Sequence, residues 1–168
     1  MGEPYQFKNM LIVNTKTGGA NPNVLCATQS GPSFVPKLAV YVNKTLPPNC
    51  HWNIGWASVG AQYTIEINDG FGNTYLLAAP LNSSPNGTGC ALVAPSASAG
   101  YCTAWAFAYP TRLLSGLGTG LHSYDGNEGT LSLDAGRYPD PIVYRFNSKE
   151  NQTWQFGYSM DSLKPTPY

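Results

Sequence analysis

Side chains able to do chemistry are sparse in this sequence and are not spaced to cooperate. The four cysteines, Cys26, Cys50, Cys90 and Cys102, contain no Cys-x-x-Cys pair, and His51 and His122 lie far apart. A zinc centre needs three or four such ligands at short, matched intervals, so the sequence offers no metal site. Nucleophilic catalysis would show as a Gly-x-Ser-x-Gly elbow, metal-assisted hydrolysis as His-Glu-x-x-His, and phosphate binding as a lysine-bearing glycine loop. The chain has none of these. Gly116-Leu117-Gly118-Thr119-Gly120 is glycine-rich, but it lacks the lysine and opens no helix, so it reads as a connection. Nine acidic residues could supply a carboxylate pair, yet no spacing singles one out. The sequence points to a binding domain rather than an enzyme, without cofactor or metal.

The elements that must position any binding residues announce themselves through tryptophan. Trp52-Asn53-Ile54-Gly55-Trp56, Trp105-Ala106-Phe107-Ala108-Tyr109 and Trp154-Gln155-Phe156-Gly157-Tyr158 share one pattern, and their leading tryptophans are spaced 53 and 49 residues apart. A repeat of that period is a supersecondary unit that cannot bury its apolar face alone. Alternation of Trp, a large apolar residue and an aromatic is the period-2 signature of a half-buried strand. Each unit is thus expected to end in a strand that plants a tryptophan in a shared centre.

A chain of 168 residues with 42% apolar residues fills one core. Only 11% of it is charged, while 18 glycines, 14 prolines and 11 tyrosines suit an all-β chain with many turns. Nine basic and nine acidic residues cancel, and no cationic cluster suggests nucleic acid. The longest apolar runs, Leu38 to Val42 and Leu76 to Leu81, are far too short for membrane insertion. The start, Met1-Gly2-Glu3-Pro4-Tyr5, carries no basic segment followed by an apolar core. A cytoplasmic or unconventionally released protein is expected, or a secreted one if a signal peptide was removed. Sequons stand at Asn43, Asn82, Asn86 and Asn151, as chance allows in so Asn-, Ser- and Thr-rich a chain.

In chain order, strands are expected near Tyr5 to Asn9, Val24 to Ala27 and Leu38 to Val42, before the Trp52 strand. Tyr63 to Ile67, Tyr75 to Ala79 and Ala91 to Ala94 precede the Trp105 strand. Leu121 to Tyr124, Thr130 to Asp134 and Ile142 to Phe146 precede the Trp154 strand. Turn signals such as Asp69-Gly70-Phe71-Gly72 and Asp125-Gly126-Asn127 separate them. Twelve strands in three four-stranded units fit a barrel capped by hairpins, the β-trefoil, in which closure removes exposed strand edges. The expected layout is a single domain over 1–168, with repeats about 5–58, 61–110 and 119–160 and a tail at 161–168.

With these residues the chain resembles the ricin-B-like (Gln-x-Trp) β-trefoil lectins, a family common in mushrooms, over roughly residues 5 to 160. The likeness is specific in the third unit. The family's pocket Asp, in a Leu-Asp-Val-like context, is matched by Leu133-Asp134-Ala135. Its third-strand aromatic is matched by Tyr144, and its Asn-Gln pair before the Trp by Asn151-Gln152. The resemblance implies a carbohydrate site of Asp134, Tyr144, Asn151 and Gln152, with Gln152 holding Asp134 in place. The chemistry suits a sugar: a carboxylate accepts hydroxyls, an amide both donates and accepts, and a ring packs on the C–H face. Ile142 departs from a Gln-like residue, and the loop from Tyr144 to Asn151 is shorter than usual. The first two units carry Cys26 and Ala78 at the Asp position, and Cys50 and Thr103 at the Gln position. One glycan site is therefore expected, with Tyr41 retaining only the aromatic in the first unit. Since Cys26 and Cys50 match the Asp134–Gln152 pair, the resemblance also places these thiols near disulfide distance. An Asp134–Gln152 bond of purely structural use would fit the same residues.

The chain also resembles the mushroom trefoil inhibitors of cysteine and serine proteases, which act through exposed loops. Gly18-Gly19-Ala20-Asn21, ahead of Pro22, resembles the Gly-Gly loop that such inhibitors insert into a papain-like cleft, where a backbone without Cβ atoms fits a narrow groove. A third expectation is a non-catalytic, lectin-like subunit of an enzyme complex. The expected partners are glycans or glycoproteins, with self-association or incorporation into a complex as further options.

Overall fold

The computed structural model describes residues 7–14, 22–42, 44–56, 62–81, 86–107, 121–124, 130–145, 150–152 and 154–160. The expected inhibitory loop Gly18 to Asn21, the Pro110 to Gly120 connection and the 161–168 tail lie outside these residues.

Three tryptophans organise the molecule as their spacing implies. Trp52, Trp105 and Trp154 are each 0% exposed and share one apolar cluster. Each begins a strand: β4 (Trp52–Trp56), β10 (Trp105–Phe107) and β14 (Trp154–Gly157). Each indole Nε1 donates to a leucine carbonyl on its own unit's second strand: Leu25 at 2.9 Å, Leu77 at 2.9 Å and Leu133 at 3.0 Å. These carbonyls lie in β2 (Asn23–Ser30), β6 (Thr74–Pro80) and β12 (Thr130–Asp134). A buried indole N–H needs a partner, and one carbonyl per unit supplies it. Ala27, Ala79 and Ala135, two residues beyond each leucine, are buried in the same cluster. The pseudo-threefold repeat is therefore visible in individual hydrogen bonds.

Six strands run side by side in the order β14, β1 (Phe7–Asn14), β4, β5 (Gln62–Asn68), β10 and β11 (Leu121–Tyr124). β1 is buried from Met10 to Asn14 because both its faces are covered. Ile12 enters the central cluster, whereas Leu11 and Val13 join a second cluster with Val24, Cys26 and Cys50. Hairpins project from these six strands. β2 pairs with β3 (Ser33–Val40), and β12 pairs with β13 (Ile142–Arg145). Pro36 is tolerated inside β3 because its partner Ala27 points its N–H away, to Asn49 O at 2.8 Å. At the β5–β6 turn, the Asp69 carboxylate accepts from the Phe71 and Asn73 amides at 2.7 and 3.2 Å. Gly70 and Gly72 supply the positive φ values of 84° and 89° that this turn requires.

The twelve expected strands are present, and the second unit departs from regularity. Its third strand is broken at Cys90 into β7 (Asn86–Gly89) and β8 (Ala91–Val93), followed by the two-residue β9 (Tyr101–Cys102). β8 pairs with β6, but β7 pairs with β13 of the third unit. At the break, Cys90 donates its N–H to Pro141 O at 3.0 Å. Leu38 of the first unit likewise donates to Pro139 O at 2.8 Å. The turn between β12 and β13 thus ties all three hairpins together.

Candidate functional site

The last residue of β12 is Asp134, 2% exposed and opposite Ile142 on β13. A carboxylate this deep must be satisfied by the protein. Its Oδ1 accepts from the Gly136 amide at 2.6 Å. Its Oδ2 accepts from Asn151 Nδ2 at 2.6 Å and Gln152 Nε2 at 2.9 Å. Gln152 Nε2 also reaches Arg145 O at 2.9 Å, so this amide is fixed between two acceptors. Asn151 and Gln152 belong to a single 3-10 turn, Glu150–Gln152, immediately before the Trp154 strand. That turn is held to β12 by the Ala135 N–H, which donates to Asn151 O at 2.8 Å.

Gly136 has a steric role. A Cβ there would lie 2.8 Å from Asp134 Oδ1, closer than real contacts allow. Above this carboxylate is a cavity of about 240 Å³ lined by Asp134, Gly136, Arg137, Ile142, Tyr144 and Asn151. Tyr144 is 37% exposed on β13. The structure thus brings all four expected residues to one place: Asp134, Tyr144 and Asn151 on the cavity and Gln152 behind the carboxylate. Two lining residues were not anticipated, Gly136 and Arg137. Their signal was the glycine two positions after the Asp, where backbone must approach a carboxylate closely.

The Asp134 carboxylate does not stand open to solvent. Among the described residues, three donors take up its roughly four lone-pair positions, leaving one on Oδ1. Nor does Tyr41 stand in Tyr144's place. Tyr144 faces Ser132, one residue before Leu133, and the matching position beside Val24 is Ala39. Tyr41 instead packs against the cluster holding Cys26 and Cys50.

Among the described residues, the other two units have no comparable polar cluster. In the first, Cys26 and Cys50 are buried together as free thiols, and Cys26 Sγ donates to Val24 O at 3.2 Å. Burial, and secondarily the neighbouring Cys50, pushes the Cys26 thiol up to about 12, while burial also raises Cys50. In the second, Ala78 is buried with Leu76 and Val93, and Ala91 and Tyr101 cover them. Apolar packing fills the place that holds a carboxylate in the third. Among the described residues no group of His, Cys, Asp and Glu could hold a metal ion.

Neither a family model nor any curated protein matches the sequence. Solved structures do. A mosquitocidal holotoxin superposes with a TM-score of 0.66 at 19% identity, over 92% of this chain and 17% of that one. Polyporus squamosus lectin, bound to the human-type influenza-binding epitope Neu5Aca2-6Galb1-4GlcNAc, gives 0.57 at 13% identity, over 90% of this chain and 49% of that one. SeviL, bound to asialo-GM1 saccharide, gives 0.56 at 11% identity, over 90% of this chain and 98% of that one. The chain therefore spans about a sixth of the holotoxin, half of the Polyporus lectin and nearly all of SeviL. The fold is the β-trefoil. Two of these three neighbours were solved with a saccharide bound.

Proposed function

We propose that this protein is a carbohydrate-binding lectin whose glycan site is the third-unit cavity. The observation that carries this reading is the Asp134 carboxylate, fixed by Gly136, Asn151 and Gln152 beneath a cavity edged by Tyr144. A sugar ring would lay its C–H face on Tyr144 and give one hydroxyl to the remaining acceptor position of Asp134 Oδ1. Asn151 commits one side-chain N–H to Asp134, and its side-chain oxygen Oδ1 would accept a second hydroxyl. Fixing these groups in advance lowers the ordering cost of binding.

A site of one ring and a few hydrogen bonds binds with a dissociation constant on the order of millimolar, about −4 kcal/mol. Useful avidity then needs several sites on one particle, whether by self-association or by incorporation into a larger assembly. Apolar packing at Ala78 and thiols at Cys26 and Cys50 leave one site per chain on this reading. The test is a glycan array followed by titration of the best ligand into the native protein and a Tyr144→Ala variant. Removing an exposed ring spares the core, so binding should fall at least about tenfold with unchanged thermal unfolding. Full-strength binding by that variant would place the site elsewhere.

A further inference from the structure

The Tyr144 cavity does not end at Arg137. A second, larger cavity of about 390 Å³ adjoins it, and Arg137 and Ile142 line both. The second cavity sits where the three hairpins meet. Ser30 and Lys37 come from the β2–β3 hairpin, Gly89 from β7, and Asp140 and Pro141 from the β12–β13 turn. Its polar lining is Ser30, Arg137 and the ion-paired Lys37 and Asp140, which together offer donors and acceptors. Its apolar lining, including Val35 and Pro141, offers a surface for C–H groups. That mixture is the chemistry a second hydroxylated ring requires.

Arg137 is held in position between the two cavities. Its Nη1 donates to Gly87 O at 2.8 Å. A Cβ at Gly87 would come within 2.8 Å of Arg137 Nη2 and 3.2 Å of Ile142 Cδ1. Gly87, at φ 99°, therefore gives the guanidinium room to lie against the backbone of the second unit. A planar donor fork fixed in this way can serve hydroxyls on either side.

We infer that the ligand is an oligosaccharide of at least two rings. Building on the third-unit lectin site, one ring occupies the Tyr144 cavity, and the next crosses Arg137 into the cavity at the junction of the hairpins. The Tyr144 cavity alone falls short of the several-hundred-Å³ size usual for ligand sites, whereas together with its larger neighbour it lies well within it. The first unit thus takes part in binding through its β2–β3 hairpin, although its own Asp position is Cys26.

The experiment titrates native protein with the methyl glycoside of the best array-binding ring, and with the disaccharide and trisaccharide that contain it. The disaccharide should bind at least about tenfold more tightly than the monosaccharide. Ser30→Trp, at the exposed end of β2, fills the second cavity without touching the first. It should erase the gain and leave monosaccharide affinity unchanged. Gly89→Tyr provides an independent block, since a Cβ there meets nothing within 4 Å. Equal affinity for one and two rings, or a gain that survives both variants, overturns the second subsite while leaving the lectin reading intact. Failure of every saccharide to bind, monosaccharides included, overturns the lectin reading itself and the subsite with it.

Discussion

Asp134 and Gln152, 18 residues apart in sequence, are joined at 2.9 Å, and the same two positions of the first unit hold Cys26 and Cys50. One site of the fold is thus occupied by a carboxylate hydrogen-bonded to an amide in one unit and by two buried thiols in another. The central tryptophans do not change with it, because each indole bonds a backbone carbonyl that every unit retains.

Asp134→Asn should reduce both stability and binding. The new amide turns donors toward Asn151, Gln152 or the Gly136 N–H, each itself a donor. Loss of buried hydrogen bonds of this kind costs about 1–3 kcal/mol. Denaturant unfolding and glycan titration of the same variant measure the two effects. A variant as stable as the native protein would show that the carboxylate contributes nothing to the fold.

Gly136→Ala separates position from charge. The added methyl must displace the Asp134 carboxylate, which it would otherwise meet at 2.8 Å, without removing any polar group. Sugar affinity should drop at least about tenfold. Unchanged affinity would show that the carboxylate tolerates movement.

Truncating Trp52, Trp105 or Trp154 to Ala should cost about 3–5 kcal/mol at each position, since all three are fully buried. Comparable losses in chemical denaturation would reflect the threefold equivalence. A single tolerant position would mark a unit whose core rests on other contacts.

The thiols give a pH dependence. The folded state raises Cys26 from its ordinary 9.0 to about 12, so above pH 9 the unfolded chain loses a proton that the folded chain keeps. Stability is unaffected below about 9 and falls as the pH rises toward about 12, with Cys50 acting in the same direction. Urea unfolding of the reduced protein across this range should show the decline. Cys26→Ala should flatten it, and a slope unchanged by that substitution would assign the effect elsewhere.

Gln155, 2% exposed and opposite Val13, has no hydrogen-bond partner for its side-chain Nε2 or Oε1 among the described residues. An unsatisfied buried amide is costly, so the similarly sized Gln155→Met should raise stability by about 1–2 kcal/mol. A lowered melting temperature would mean that the amide serves an interaction its surroundings do not reveal.

The fold was legible because tryptophan spacing and strand alternation are local signals that burial preserves. Ten of the twelve strands fall close to where alternation placed them, β11 and β12 among them with their expected bounds, whereas β1 (Phe7–Asn14) and β3 (Ser33–Val40) are displaced by several residues. The break at Cys90 was not legible, because it depends on an acceptor 51 residues away, Pro141 O. The same holds for Arg137, whose place is set by Gly87 across a unit boundary. Asp134 and Gln152 could be read as a pair from the sequence, but not the depth of the carboxylate or the three donors that occupy it. Those follow from how the Glu150–Gln152 turn closes over β12.

Asn151 is also the acceptor of a sequon, Asn151-Gln152-Thr153. N-linked glycosylation modifies the same side-chain nitrogen that donates to Asp134 at 2.6 Å. Asn151 lines the Tyr144 cavity, so a glycan added there would be tethered at the mouth of the protein's own sugar site. Material made in a glycosylating host and material made in a bacterium would then be two different reagents. The first would carry a covalent competitor, and only the second would present an open cavity.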